Sequence, residues 1–395
     1  MLNVKNSNSV SRFVKRILVW SLSFMLVLIL ILVLQYSRIE IFYKEKNKPF
    51  SGDFFYNPYK NFTPETVKAN FHTHSSCWLK ITSGAQSPDR IYSYYKKNGY
   101  DIISISNYHR ISIDHAAPDY IPVYEHGYNY KKFHQLVINC RKVTFLDFPF
   151  FNNYHTKQTV IKVLGATGGL IALAHPDMRH ACTAADMKYL KGYDFIEVLN
   201  IKNISTKLWD AALTAGYPAW IIADDDCHDI DNPDLLFNNW NRISAKGKNR
   251  EDILNALKAG CAYGVRNPDH LETNFLESCK VKQNEISVCF SNKAGRITFV
   301  ADGGAIRKEV HNAACSTYKI APKDSYVRIE ARKGDAFILL NPVIRYNGFQ
   351  INRTGNPLHV NTALTFLTRG GLILLSISIL MLIFVLNKKN IRRRD

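Results

Sequence analysis

The sequence predicts an α/β protein: a closed barrel of parallel strands and outer helices, followed by a small antiparallel β-domain and flanked by two transmembrane helices. Three observations lead there. Short apolar strands alternate with helical stretches between residues 63 and 270, strands without helices follow to residue 350, and each end of the chain carries a long apolar run.

The ends are the simplest to justify. Ile17 to Tyr36 is apolar throughout, and so is Gly370 to Leu386. An apolar helix crosses the hydrocarbon core with about 20 residues, so spans are expected at 17–36 and 367–386. The first run is longer than a signal-peptide core and its flank, Gln35-Tyr36-Ser37-Arg38, lacks a small-x-small cleavage site. It is therefore expected to be an uncleaved anchor. Lys388, Lys389, Arg392, Arg393 and Arg394 follow the second run. They predict cytoplasmic tails at 1–16 and 387–395 and an outward-facing domain between the spans.

Linkers are expected at 37–62 and 351–366. In the body, Val67 to Phe71 is an expected strand, and Ser87-Pro88 opens a helix that stops at Gly99. Strands are expected at Asp101 to Ser106, Gln135 to Asn139, Lys142 to Leu146, Leu170 to Ala174, Phe195 to Leu199 and Ala219 to Ala223. Helices are expected at Lys157 to Leu164, from near Thr183, at Ser205 to Thr214, and at Arg250 to Ala259 before Gly260. Polar residues at the strand ends favour a closed barrel, whose catalytic groups collect at that face. Beyond residue 275, Ile286 to Phe290, Arg296 to Val300 and Tyr326 to Ala331 are expected strands.

The net charge is +18; each tail carries +4, leaving +10 on the remainder, which attracts anions. No aromatic-basic motif accompanies that charge, so no specific nucleic-acid partner is expected. The partners expected are a phosphorylated substrate and the lipid bilayer. Eight cysteines without CxxC spacing argue against a zinc-thiolate site. Disulfides are possible in an oxidising compartment, with Cys279 and Cys289 as one candidate pair.

The chemistry-bearing residues sit where strands end. His72-Thr-His74 follows the first strand, and alternation puts both imidazoles on one face. Asp226-Cys-His228 repeats that geometry after Ala219 to Ala223, His175-Pro176 closes another strand, and Glu125 and His134 flank a further edge. Such a mixed nitrogen and oxygen set suits zinc, manganese or iron.

These segments resemble the PHP (polymerase and histidinol phosphatase) family over about residues 65 to 265. Asn70-Phe-His72-Thr-His74 is similar to its opening HxH motif, and Gly99 to Tyr108 to the segment ending in Thr-Asp-His. Pro122 to Glu125, His134-Gln-Leu, Ala174-His175-Pro176 and Asp224 to His228 are similar to its later motifs, in order. The resemblance implies a distorted (β/α)7, TIM-like barrel holding two or three divalent metals, Zn, Mn or Fe. The implied ligands are His72, His74, Glu125, His134, His175, Asp226 and His228, with Glu125 bridging. The implied activity is hydrolysis of a phosphomonoester or phosphodiester by activated water, with Glu125, Asp226 and His109 as catalytic residues.

Two departures stand out. Asn107-Tyr108 replaces the family's Asp-His, so Asn107 or, by alternation, His109 is expected to substitute, with His115 a weaker alternative. No acidic or histidine ligand follows the HxH motif in Ser75 to Ser83. Asp224 and Asp225 are expected to orient ligands, Arg179, His180 and Asn200 to contact substrate, Cys227 to pack, and His126 to be a neighbour. The competing expectations are a metal-binding scaffold without catalysis and a hydrolase of a non-phosphate bond.

Overall fold

A computed structural model describes residues 3–80, 82, 84–112, 119–269, 274–349, 351 and 357–391. The chain forms two compact units, Met1–Tyr43 with Leu358–Asp395, and Lys44–Pro357. The first unit pairs α1 (Asn3–Tyr36) with the chain's last helix, Thr362–Ile391. Phe13–Tyr36 and Thr362–Lys388 have mean hydropathies of 3.0 and 2.4, long and apolar enough to cross a membrane. Only 11% of each is buried, so protein does not cover their apolar surface as it would a core helix. The two run antiparallel: Asn387 Nδ2 donates to Ser23 Oγ at 3.0 Å, while Arg369 Nε donates to Ile39 O at 2.8 Å.

The second unit begins with β1 (Phe54–Tyr56), β2 (Val67–Asn70), α2 (Pro88–Lys97), β3 (Ile102–Ile103), β4 (Val123–His126) and β5 (His134–Ile138). It continues with α3 (Tyr154–Gly165), β6 (Leu170–Ala174), α4 (Ala184–Met187), β7 (Phe195–Leu199), α5 (Thr206–Thr214), β8 (Trp220–Ala223), β9 (Asn239–Ile243), α6 (Arg250–Ala259) and β10 (Ala262–Arg266). Long strands complete it: β11 (Leu276–Lys282), β12 (Glu285–Ala301), β13 (Ala305–Lys319), β14 (Tyr326–Lys333), β15 (Ala336–Leu340) and β16 (Val343–Tyr346). Local chemistry sets several ends. Ser87 caps α2 through Arg90 N, Asn153 caps α3 through His155 N and Thr156 N, and Gly260 ends α6 at φ 73°.

The closed barrel expected from the sequence is not found. One sheet runs β4-β5-β6-β7-β8, with β4, β5 and β6 antiparallel and β6, β7 and β8 parallel. The other runs β1-β16-β14-β15-β10-β9-β2-β3, with β11, β12 and β13 attached through β14. At one of the two seams, β9 pairs antiparallel with the edge of β2 that a barrel would offer to β8. Among the described residues, single-residue bridges join the two sheets, Thr73 to Cys227 and Tyr108 to Glu125.

The later strands do not form a separate sheet, because β10 ladders with β15. Residues 142–146 are not a strand, and Ile286 to Phe290 and Arg296 to Val300 belong to one strand, β12. Cys289 is bonded to Cys315 across β12 and β13, not to Cys279, which lies reduced and buried opposite Val288.

Candidate metal centre

The site forms where strands stop. Just beyond β2, His72 and His74 leave the chain on one face; Asp226 and His228 do the same beyond β8. The Thr73–Cys227 bridge between them holds these two segments side by side. Glu125 comes from β4, His134 opens β5, and His175 follows β6. His72, His74, Glu125, His134, His175 and Asp226 are all buried. His175 and Asp226 have left-handed backbones, φ 29° and 51°, held by His175 N donating to Glu197 at 2.6 Å and Asp226 N to His72 O at 2.9 Å. Such conformations persist in L-residues only where the surroundings fix them.

Two donor groups share Glu125. The first is His72, His74, Glu125 and Asp226; the second is Glu125, His134 and His175. In the first, Asp226 Oδ1 lies 3.2 Å from His72 Nε2 and 3.3 Å from His74 Nε2. Glu125 Oε2 lies 3.5 Å and 3.1 Å from the same two nitrogens. Donors about 2.1 Å from a tetrahedral zinc stand about 3.4 Å apart, so these separations fit a set that could hold a metal ion. The other carboxylate oxygen, Oε1, meets His134 Nδ1 at 2.6 Å and His175 Nε2 at 3.1 Å. His72 Nε2, His74 Nε2, Glu125 Oε2 and Asp226 Oδ1 are buried without a hydrogen-bond partner. Buried polar atoms left in that state need something to bind, and a cation fits a set of imidazole nitrogens and carboxylate oxygens. His228 Nε2 stands 3.3 Å from Asp226 Oδ1, with its ring stacked on His74 at 4.3 Å.

Electrostatics agree. Burial alone would depress the pKa of His72, but the charges of Asp226, Glu197 and Glu125 hold it well above the usual imidazole value. For His74, burial is likewise outweighed by Asp226 and Glu125, and its pKa is raised. Against the opposing effect of burial, the imidazoles hold Glu125 and Asp226 well below the carboxylate range. Burial and the neighbouring His74 push His228 down to about 4.

A residue missed in the sequence is Glu197, fully buried in β7. Its Oε1 accepts from His72 Nδ1 at 2.9 Å and its Oε2 from His175 N at 2.6 Å. One carboxylate thus orients a member of each donor group and keeps His72 Nε2 free for the centre. Its only sequence signal was inward alternation within Phe195 to Leu199. Lys202 was missed as well: Nζ stands 3.2 Å from Asp226 Oδ2, with the side chain 44% exposed, at the rim.

Other expected residues fall elsewhere. His109 is not at the centre, contrary to the expectation from alternation. A left-handed backbone at φ 47° turns it away; its Nδ1 donates to Thr144 O and its Nε2 accepts from Gly127 N. Burial and His126 lower it to about 4. Asn107 offers no ligand atom, because its oxygen accepts from Ser75 N and its amide donates to Ser75 and Ser112 hydroxyls. Tyr108 instead faces the site, stacked on His74 at 4.8 Å and edge-on to His134 at 5.6 Å. His115 lies outside the described residues.

Asp224 accepts from Phe71 N at 2.7 Å and from Asn241, bracing the segment before His72. Asp225 accepts from Asn70, Tyr95 and three backbone amides of 237–239, and burial raises it to about 6. Cys227 is buried in the core. His126 is spent on Gln135 and Leu146 O. Arg179 and His180 are exposed, and Arg179 donates to Tyr130 O rather than toward the cluster. Asn200 is buried, its oxygen accepting from Lys202 N and its amide nitrogen without a partner.

No protein-family model and no curated protein matches this chain. Among solved structures it is similar to a two-domain protein from Bacteroides vulgatus ATCC 8482 containing a predicted PHP-like metal-dependent phosphoesterase. The identity is 12% and the TM-score 0.41, over 80% of this chain and 98% of that one.

Proposed function

We propose that this protein is a PHP-type, metal-dependent phosphoesterase anchored in a membrane by its two apolar helices, with both termini cytoplasmic and residues 44–357 outside. The observation that carries the reading is Glu125, which presents one oxygen to each of two buried donor groups. His72, His74 and Asp226 would complete one position with His228 beside them, and His134 and His175 the other. Bound divalent metals supply an activated water and neutralise charge developing on a phosphoryl group.

The chain's own residues do the rest. Glu197 sets the His72 tautomer and ties His175 to β7. Lys202 places a positive charge at the exposed rim, where an incoming phosphate would meet it, and Asn200 lies two residues before it. Tyr108 covers His74 and His134 where the sequence departs from the family, and burial together with the charges of Glu125 and Asp226 holds its hydroxyl in the protonated form. The antiparallel pairing of the two apolar helices and the basic residues after the second support the anchoring and its orientation.

The test uses full-length protein in detergent, loaded in turn with Mn²⁺, Zn²⁺ or Fe²⁺ and offered phosphomonoesters and phosphodiesters. Turnover is expected in wild type and lost in Glu125→Gln with the circular dichroism spectrum unchanged. A wild-type protein that binds two metals yet turns over none of these esters is a metal-binding scaffold.

A further inference from the structure

A cavity of about 850 Å³ opens between α5 and strands β12, β13 and β14, and no residue of the metal cluster lines it. Three lysines reach it from separate segments: Lys46 ahead of β1, Lys188 just after α4, and Lys207 in α5. All three are exposed, and among the described residues none has a carboxylate within ion-pair distance. The two acids of the cavity wall are already engaged. Asp210 receives Arg328 Nε at 2.7 Å and Nη2 at 2.8 Å, and Glu330 receives Arg328 Nη1 at 2.5 Å. With both wall acids paired to Arg328, the three lysines and Arg296 leave the wall with an excess of positive charge, and a concave surface of that kind concentrates anions.

A second observation comes from Asn47, which lines the same cavity. The residue is only 7% exposed, and neither its amide nitrogen nor its amide oxygen has a hydrogen-bond partner. Buried amides are normally satisfied, so a donor and an acceptor are missing here. The remaining wall includes Ala211, Val300 and Ile306, which suit an apolar portion of a ligand.

We propose that this cleft binds an organic phosphate that carries an apolar portion. Lysines contributed by three separate segments suit the distributed oxygens of a phosphate better than a planar carboxylate, which favours a bidentate guanidinium. A soluble phosphate ester and a lipid headgroup share this chemistry. The site is separate from the metal centre, so either can fail without the other.

Full-length protein in phosphatidylcholine nanodiscs, stripped of metal with EDTA, is titrated calorimetrically with sn-glycerol 3-phosphate and with dihexanoyl phosphatidic acid below its micellar concentration. Saturable binding of at least one is expected, and the tighter probe tells the soluble source from the headgroup. The Lys46→Gln, Lys188→Gln, Lys207→Gln triple variant is expected to weaken that probe about tenfold or more. A variant of equal charge, Lys280→Gln, Lys282→Gln, Lys319→Gln, alters exposed lysines outside the cavity and is expected to change it less than about twofold. No binding of either probe, or an equal loss in both triple variants, overturns the proposal.

Discussion

Around Arg328 the buried charges complete one another: its guanidinium binds Asp210 and Glu330, Tyr326 adds a bond to Asp210 at 3.0 Å, and Arg332 adds one to Glu330 at 3.0 Å. Around Glu125 the buried groups do not. Eight nitrogen and oxygen atoms of His72, His74, Glu125, His134, His175, Asp226 and His228 have no hydrogen-bond partner. The central residues of both clusters are buried. An ion network that fastens α5 to β14 needs every donor matched to an acceptor, because a buried unpaired charge is costly. A centre built to hold a cation leaves matched acceptors aimed at the same volume, and its stability waits on the ligand.

The largest effect is expected from breaking the satisfied cluster. Arg328→Leu removes the charged partner of Asp210 and leaves Glu330 with Arg332 alone, and should destabilise the fold by about 3–5 kcal/mol. Urea unfolding followed by fluorescence would measure this, since Trp209 lies 5.4 Å from the Arg328 guanidinium. EDTA should not change that loss; a loss that depends on EDTA would mean that the two clusters are not independent.

Glu197→Gln sharpens the same contrast from the other side. An amide in place of this carboxylate weakens the hold on the His72 tautomer and removes the charge behind it. Metal affinity, measured against a chelating dye, should fall about 10–100-fold. Unchanged affinity would make Glu197 a packing residue.

Proton competition should follow. His72 and His74 have raised pKa values in the metal-free protein, so they stay protonated above the ordinary value of about 6.5. Their contribution to metal-free stability is complete below that value and is lost as pH rises through the raised values. Metal must displace those protons, so affinity should rise with pH across this window, by up to about tenfold per unit for each proton. A flat profile from pH 6 to 8 would contradict the proposed ligands.

The smallest effect on the centre belongs to His109→Ala. Loss of its bonds to Thr144 and Gly127 should cost about 1–3 kcal/mol of stability. Metal affinity should change less than about twofold, because neither ring nitrogen is available to the site. A large drop in bound metal would restore the ligand role that alternation suggested.

The sequence by itself marked most of the elements and the residues that gather in the buried cluster. Apolar length marked the two long helices, Ser87-Pro88 and Gly260 marked helix ends, and strand-end position singled out His72, His74, Glu125, His134, His175, Asp226 and His228. These signals are local: each depends on a few neighbouring residues and a fixed periodicity. Tertiary structure alone decided the rest. Alternation failed at His109 because a single left-handed residue rotates the side chain off the strand face. The edge of β2 that a barrel would give to β8 is taken instead by β9, distant in sequence from β2. Glu197 stayed hidden because an inward carboxylate in a buried strand declares its purpose only when His72 and His175 arrive from other strands. Cys289 found Cys315 rather than Cys279 for the same reason: strand register, set by partners far along the chain, chooses which side chains meet.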